Sequence, residues 1–183
     1  MFGGHGYIRE WGMEQFVRDA RINQIYEGAN GIQALDLVGR KLGQNGGRAI
    51  QAYFKLLAEE IAEAKKVDGA AALAGALEKS VGDLQKATLW LMQNGMANPD
   101  NAGAASYPYM NLMGLVTLGL MWLRMASASA RALADGAEDR AFHEAKLVTA
   151  RFYGERILPQ SGAERRRIEA GAEALMALPV EAF

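Results

Sequence analysis

The 183-residue sequence contains no cysteine and only two histidines. The absence of cysteine excludes disulfide bonds, thiolate metal sites and cysteine nucleophiles from this chain. Zinc is bound mainly by cysteine and histidine, so two histidines are too few to favour a zinc site, and we predict no metal ligands.

The sequence also lacks an excess of positive charge, since its formal net charge is -1. Its tightest basic cluster, Arg165 to Arg167, is flanked by Glu164 and Glu169. A nucleic-acid-binding domain normally carries a basic face, so we expect no nucleic-acid partner.

Long hydrophobic runs and export signals are missing as well. The most apolar stretch, residues 110–125, is shorter than the roughly 20 residues that a membrane-spanning helix needs, and it contains Arg124. The first residues carry neither a basic region nor an apolar core of a signal peptide. We therefore expect a cytoplasmic protein without a membrane span, in which residues 110–125 form a helix buried on most sides.

From Arg48 onward, apolar residues recur at steps of three and four, which indicates helix after helix. We predict a helix from about residue 48, a second ending at Asn94, a third from about Ser106 to Ala134 with Pro108 in its first turn, a fourth from Glu138 to about Ile157, and a last one carrying Ile168 to Leu178. No segment alternates apolar and polar residues as a strand would. The predicted fold class is all-α, an antiparallel helical bundle.

The first 45 residues differ in character, because their many glycines are spread among aromatic and charged residues. This composition is typical of a binding site. Residues 44–47, Gln-Asn-Gly-Gly, are a plausible hinge. We predict two domains, an active-site segment at residues 1–45 and a helical bundle at residues 46–183.

Two strings in this segment stand out, Phe-Gly-Gly-His-Gly-Tyr at residues 2–7 and Arg-Asp-Ala-Arg-Ile-Asn-Gln-Ile-Tyr-Glu-Gly-Ala-Asn-Gly-Ile-Gln at residues 18–33. Paired glycines let a backbone approach a bulky ligand, and a glycine after a glutamate lets the chain turn while presenting the carboxylate. Either string alone is a weak signal, since paired glycines are usually turns.

Together, in this order and spacing, the strings resemble the C-terminal signature of the acyl-CoA dehydrogenases. The resemblance covers about residues 2–42. The bundle that follows resembles, more loosely, the C-terminal extension of a bacterial branch that includes methylthiopropanoyl-CoA dehydrogenases. The resemblance implies a flavoenzyme that oxidises an acyl-CoA between its α and β carbons, with FAD as cofactor, an electron-transfer flavoprotein as partner and a homo-oligomeric assembly.

The resemblance makes Glu27 the catalytic base that removes the α-proton. A carboxylate enclosed away from water is suited to this role. In the family, the thioester oxygen of the substrate is stabilised by the backbone N–H of the base residue and by a hydroxyl of the flavin. The neighbours Tyr26 and Gly28 are expected to contact the substrate. The alternative for Glu27 is a solvated or helix-capping acid.

The resemblance also implies which residues contact FAD. Ala29, Asn30 and Gly31 match positions that touch the flavin in relatives, although many members carry threonine at the position of Ala29, so one hydroxyl contact is expected to be missing. Gly3 and Gly4 match a loop that packs against the FAD of a neighbouring subunit.

A glutamine commonly stands two residues before that Gly-Gly pair, where this chain has Met1, and we therefore expect a truncated protein. The family's amino-terminal helical domain and middle β-domain are not represented in the sequence. We expect the chain by itself to bind FAD weakly or not at all and to be inactive. The alternative function is a non-catalytic helical module, chiefly residues 48–183, that mediates self-association.

Overall fold

The computed structural model describes residues 2–24 and 29–182, and this part of the protein consists of helices joined by turns and short irregular segments, without strands. The α-helices are α1 (Glu14–Arg21), α2 (Ala29–Asp36), α3 (Arg48–Ala64), α4 (Ala71–Asn94), α5 (Pro99–Ala134), α6 (Arg140–Phe152) and α7 (Ser161–Glu169). Wider π-helical turns continue two of them, Leu37–Lys41 after α2 and Tyr153–Ile157 after α6. The predicted all-α fold class is confirmed.

Side-chain contacts between successive helices show that they run antiparallel. Thr88, late in α4, hydrogen bonds to Tyr109, early in α5, at 2.8 Å. Ser129, late in α5, lies 3.2 Å from Nδ1 of His143, early in α6. The predicted antiparallel bundle is therefore confirmed, with α5 packed against α3, α4, α6 and α7.

The core lies along α5, because the faces of several helices meet there. Its largest fully buried side chains are Tyr109, Leu57, Leu77, Leu84, Leu112, Leu120, Leu123, Leu158, Ile168 and Val116. Burial raises the pKa of Tyr109 to about 12, because the ionised phenol would lose its hydration. At Gly119 a Cβ would lie 2.8 Å from Cδ1 of Leu77, so a larger residue there would force this buried side chain to shift where α4 and α5 approach each other.

A polar network fastens α7 to α4. The Ser161 hydroxyl donates to Oδ2 of Asp83 at 2.9 Å and lies 3.1 Å from the Ser80 hydroxyl. Arg165 donates to the other oxygen of Asp83 at 2.9 Å and to both oxygens of Glu169 at 2.8 Å. The side chains of Arg165 and Asp83 are only a quarter or less exposed, so the network is held largely away from water.

The third predicted helix begins earlier than expected. α5 starts at Pro99 instead of near Ser106, because the Asn98 side chain accepts a hydrogen bond from the backbone N–H of Asp100 and proline fits the first helical position. Pro108 consequently lies inside the helix, not in its first turn. There it removes one backbone donor without ending the helix.

The last predicted helix, carrying Ile168 to Leu178, is present as α7 and includes Ile168, but its predicted extension to Leu178 is wrong. α7 ends at Glu169, and Gly171 adopts a left-handed conformation with φ of 68° that terminates it. Of the apolar residues that suggested a longer helix, Ala172 is buried beyond this point, whereas Leu175 and Leu178 are exposed. The apolar periodicity was present, but the glycine ends the helix first.

The predicted hinge before α3 is a sharp turn. Consecutive residues of this turn have left-handed backbone angles: Asn45, Gly46 and Gly47. On its amino-terminal side, Leu37 and Leu42 pack against the core of the bundle. The division into domains at residues 1–45 and 46–183 stays a prediction.

Among the described residues, α5 is the one helix long and apolar enough, by length and composition, to cross a bilayer. A core helix satisfies the same criteria, so this is weak evidence for a membrane span. Leu112, Val116 and Leu120 of α5 are buried in the bundle, as predicted for the stretch at residues 110–125. One face of the same stretch is nevertheless exposed, at Leu118 and Met121.

Candidate functional site

The glycine-containing string at the start of the chain forms a short 3₁₀ helix, Gly3–Tyr7. Gly3 adopts a left-handed conformation with φ of 57°, which residues with a side chain rarely adopt. The ring of Trp11 holds the segment together, with Phe2 at 6.4 Å and His5 edge-on at 5.9 Å between centroids. The string is thus a compact, exposed turn.

The charged residues of the second string stabilise α1 itself. Arg18 forms an ion pair with the buried Glu14 at 3.0 Å, and Asp19 accepts a hydrogen bond from Gln15 at 2.7 Å. Both are pairs four residues apart, which are neighbours on one helix face. Arg18 and Asp19 therefore have structural partners within the helix that leads to the predicted base.

The predicted base and its substrate-binding neighbours, Glu27, Tyr26 and Gly28, lie outside the described residues. The structure describes the chain on both sides of them, since Gln24 ends a 3₁₀ turn and Ala29 begins α2. The base is therefore two residues before the start of a helix.

The predicted flavin-contacting residues Ala29, Asn30 and Gly31 form the first turn of α2. Backbone N–H groups in a first helical turn have no partner inside the helix and can donate to a ligand. Asn30 and Gly31 are exposed, and a Cβ added to Gly31 would meet nothing within 4 Å. This turn leaves room and donors for a polar ligand, and the residues present are compatible with the flavin contact predicted for them.

The other predicted flavin-contacting residues, Gly3 and Gly4, lie beside α1. A Cβ at either position would meet nothing within 4 Å, so both backbones are open to a ligand or to another chain. The prediction assigns this loop to the flavin of a neighbouring subunit, and a single chain does not test that assignment.

The carboxyl end of α2 packs against the bundle, and ion pairs within the same segment stabilise it. Ala34 is completely buried where α2 packs against α5. Hydrogen bonds from Arg40 and Lys41 lower the pKa of Asp36 to about 2. The charge spacing of Asp36 and Arg40 was the available signal for this ion pair. Helix α2, which starts two residues after Glu27, therefore packs directly against the central helix α5.

An apolar groove of about 490 Å³ lies where the turn before α3 meets the end of α4. Its walls include Gly43, Ile50, Phe54, Leu91 and Met96. In the sequence, only the glycines of the turn indicated that a groove could form here. It marks the boundary between the anchored α2 segment and the bundle.

The segment before α3 exposes many large apolar side chains. They are Phe2, Tyr7, Ile8, Trp11, Met13, Phe16, Val17, Ile22, Ile32 and Leu35. Exposure of so many large apolar side chains within about 35 residues is more than scattered surface residues give, and it is typical of an interaction surface. The segment thus has the surface of a piece that packs against further protein.

Two family models match the chain and together cover most of it. Residues 1–43 match the model described as acyl-CoA dehydrogenase, C-terminal domain. Residues 50–179 match the model described as acetyl-CoA dehydrogenase C-terminal like. The matched stretches meet near the turn before α3.

The chain is also similar to curated proteins. It is 36% identical to a 3-methylmercaptopropionyl-CoA dehydrogenase of Ruegeria pomeroyi over 176 residues. These aligned residues are 95% of this chain and 30% of that protein. It is 30% identical over 190 residues to a broad-specificity linear acyl-CoA dehydrogenase of Mycobacterium tuberculosis, covering 99% of the chain and 31% of that protein.

A third relative matches a shorter stretch of the chain. An acyl-CoA dehydrogenase of Bacillus subtilis is 44% identical over 43 residues, which is 24% of this chain and 11% of that protein. The chain thus spans less than a third of the length of these relatives. Its matched models and its helical fold agree, and the chain belongs to the acyl-CoA dehydrogenase family as a C-terminal part.

Proposed function

We propose that this chain is the C-terminal part of an FAD-dependent enzyme that oxidises an acyl-CoA thioester between its α and β carbons. The observation that carries the proposal is the match of residues 1–43 to the C-terminal domain model of the family. This stretch contains the Tyr-Glu-Gly string at residues 26–28. The start of α2 directly after that string supports the same reading.

In this proposal Glu27 accepts the α-proton of the substrate through its carboxylate. Tyr26 and Gly28 contact the thioester, and the absence of a side chain at Gly28 allows the substrate to lie close to the backbone. A positioned general base contributes about 10²- to 10⁴-fold to the rate. Removing the carboxylate is therefore expected to have an effect far larger than any change at the surface.

Acyl-CoA dehydrogenases are generally flavin-dependent, and bound FAD supplies the acceptor for the hydride that leaves the β-carbon. The open first turn of α2 supports a role for Ala29, Asn30 and Gly31 in holding it. Gly3 and Gly4 would contribute from a neighbouring subunit. Because the chain spans less than a third of its relatives, we expect it to bind FAD weakly or not at all when alone.

The substrate is proposed only as an acyl-CoA thioester. The relatives carry different substrates in their names, 3-methylmercaptopropionyl-CoA in one case and linear acyl-CoAs in another. The wider proposal includes an electron-transfer flavoprotein as electron acceptor, a homo-oligomeric assembly and a cytoplasmic location.

The test uses the full-length protein with bound FAD under anaerobic conditions. Addition of acyl-CoAs, including 3-methylmercaptopropionyl-CoA and a series of linear chains, should bleach the flavin absorbance of the wild type. Glu27→Gln should retain FAD and bind the substrate but bleach about 10²- to 10⁴-fold more slowly.

Glu10→Gln is the matched control, because it makes the same chemical change at an exposed position of the same segment. It should bleach at the wild-type rate. Bleaching of the Glu27→Gln protein at the wild-type rate would remove Glu27 from its role. Absence of bleaching in the wild type with every acyl-CoA would contradict the proposed reaction.

The same spectrum, recorded on this chain alone, tests whether it binds FAD without the rest of the protein. After incubation with FAD and gel filtration, we expect no retained flavin. Retained flavin that bleaches with an acyl-CoA would show that these residues suffice for a working site.

The alternative function, self-association by the helical bundle, is favoured by one specific observation, the exposed apolar face of α5.

A further inference from the structure

The sequence contains three Asn-Gly pairs, and the structure places each of them in a different setting. The pairs begin at Asn30, Asn45 and Asn94. In such a pair the backbone nitrogen of the glycine can attack the side-chain amide carbon of the asparagine, because glycine has no side chain to obstruct the approach. Ring closure requires the backbone between the two residues to rotate. The setting of each pair therefore decides how readily it reacts.

The pair at Asn94 is held in place by hydrogen bonds at the end of α4. The backbone N–H of Gly95 donates to the carbonyl of Leu91 at 2.8 Å. The Asn94 side chain donates to the carbonyl of Trp90 at 2.9 Å, so its amide group is occupied. A Cβ at Gly95 would lie 3.3 Å from Cβ of Ala102, because α5 packs closely here. Rotation at this pair would break both hydrogen bonds and disturb this packing.

The pair at Asn30 belongs to the first turn of α2. Both of its residues are exposed, but their backbone is helical. Rotation there must unwind the start of a helix whose Ala34 is completely buried where α2 packs against α5. This pair is therefore less free to react than its exposure alone indicates.

The pair at Asn45 lies in the turn before α3, outside a right-handed helical conformation. Asn45 and Gly46 are exposed and left-handed, with φ of 53° and 67°. In the described part of the chain, Asn45 is the one non-glycine residue with a positive φ. Its side chain forms no hydrogen bond with another described residue. A left-handed conformation is unfavourable for a residue with a side chain, so rotation out of it is not opposed as rotation out of a helix is.

We propose that Asn45 is a site of spontaneous chemical modification. The backbone nitrogen of Gly46 attacks Cγ of Asn45, a succinimide ring closes, and the side-chain nitrogen leaves as ammonia. Water then opens the ring at either of its carbonyls. One opening gives aspartate at residue 45, and the other gives isoaspartate, in which the main chain passes through the former side chain. The net reaction adds water and releases ammonia, with no oxidant, reductant or cofactor.

The modification alters the joint between α2 and the bundle. Gly47, directly after the pair, is buried, and a Cβ there would lie 3.6 Å from Cγ2 of Ile50 and 3.7 Å from the carbonyl oxygen of Leu42. Leu42 packs against the core. Isoaspartate adds one main-chain carbon between these two fixed points, so the turn cannot keep its geometry. The glycines of the turn line the apolar groove, whose shape changes with it.

The first test measures all three pairs in one experiment. Trypsin places them on separate peptides, residues 22–40, 42–48 and 87–124. This chain and the full-length protein are incubated at mildly alkaline pH, and mass spectrometry follows the conversion of amide to acid in each peptide. In both proteins we expect residue 45 to be modified fastest. Residue 94 should react at least about tenfold more slowly, because its rotation breaks two hydrogen bonds.

The chain unfolded in urea is the control for the effect of sequence alone. All three pairs are then exposed, so their rates should converge, mainly through a large rise at residue 94. Two outcomes would overturn the proposal. One is a folded protein in which residue 45 reacts no faster than residue 94. The other is a rate at residue 45 that rises on unfolding as much as the rate at residue 94, since the folded turn would then protect its pair.

Two variants assign the reaction to its residue. Asn45→Gln keeps an amide but closes a ring more slowly, so this protein should not acquire the acidic form that isoelectric focusing detects in the aged wild type. Asn94→Gln is the matched control, because it makes the same change in another Asn-Gly pair, and it should acquire the acidic form at the wild-type rate. An acidic form that appears equally fast in the Asn45→Gln protein would assign the modification to another residue.

Hydrogen exchange tests the effect on the joint. The backbone N–H of Leu42 donates to the carbonyl of Leu37 at 2.8 Å and reports on the packing of this segment. It should exchange faster in the purified isoaspartate form than in the unmodified protein. Asn45→Asp carries the new charge without the longer main chain and should exchange like the unmodified protein. Equal exchange in all three proteins would refute the proposed effect on the joint.

Discussion

Tyr109 joins α4 and α5 at the centre of the bundle, and its removal tests the packing directly. Its ring is completely buried, and its hydroxyl lies 2.8 Å from Oγ1 of Thr88. The Thr88 hydroxyl also donates to the backbone carbonyl of Leu84 at 2.7 Å. Tyr109→Phe therefore removes one buried hydrogen bond while Thr88 keeps a partner. We expect a loss of about 1 kcal/mol in the free energy of unfolding at pH 7.

The same substitution should become favourable at high pH. Burial raises the pKa of folded Tyr109 to about 12 from its ordinary value of 10.0. Between these values the unfolded chain loses the phenolic proton while the folded chain keeps it, so wild-type stability falls with rising pH by up to about 1.4 kcal/mol per pH unit. Tyr109→Phe lacks this titration. The variant should match the wild type near pH 11 and exceed it above that pH.

The measurement is urea unfolding followed by circular dichroism from pH 7 to pH 12. Tyr7→Phe serves as the control, because it removes the hydroxyl of an exposed ring. The other tyrosines titrate in both proteins, so the difference between wild type and Tyr109→Phe isolates one group. A difference that stays constant across this pH range would refute the reasoning, since it would show that Tyr109 ionises equally easily in the folded and unfolded chains.

Further substitutions test other parts of the packing. Gly119→Ala should lower the free energy of unfolding by about 1–3 kcal/mol, because its Cβ would lie 2.8 Å from Leu77. Gly75→Ala should raise it by about 0.5–1 kcal/mol, because a Cβ there meets open space. Thermal unfolding of the two variants and the wild type measures both effects. Arg165→Met should cost about 1–3 kcal/mol in urea unfolding by breaking its two carboxylate contacts, and an unchanged free energy of unfolding would show that these contacts do not stabilise the bundle. Hydrogen exchange should be slowest in α4 and α5 and fast in residues 2–24; equal protection would show that the core extends further.

The bundle could be predicted from the sequence because its apolar periodicity and its breakers agree. The stop at Asn94 and the end of α5 at Ala134 lie where glycine follows the last periodic residues. The pattern failed where a local backbone signal opposed it. Asn98 and Pro99 begin α5 before its apolar face starts, and Gly171 ends the last helix although apolar residues continue.

The candidate site was predicted less from physics than from the resemblance of two strings. Periodicity does not identify a base, and paired glycines are ambiguous between a turn and a ligand site. The contacts that position α2 depend on which helix lies beside it. Nothing local in the sequence shows that Ala34 is buried against α5, because that burial follows from tertiary packing.

The uneven burial of the chain separates what stabilises it from what it does. Of residues 2–23, whose burial the structure describes, only Glu14 is buried, whereas α4 and α5 contribute most of the core. Apolar burial is the main favourable contribution to folding, so the bundle supplies the stability, and the segment that leads to Glu27 contributes little. Core substitutions should consequently change the unfolding of this chain without changing the segment's own contacts. In the proposed enzyme, further protein would cover the exposed apolar residues of this segment, so we expect the proposed chemistry of Glu27 from the full-length protein and not from this chain alone.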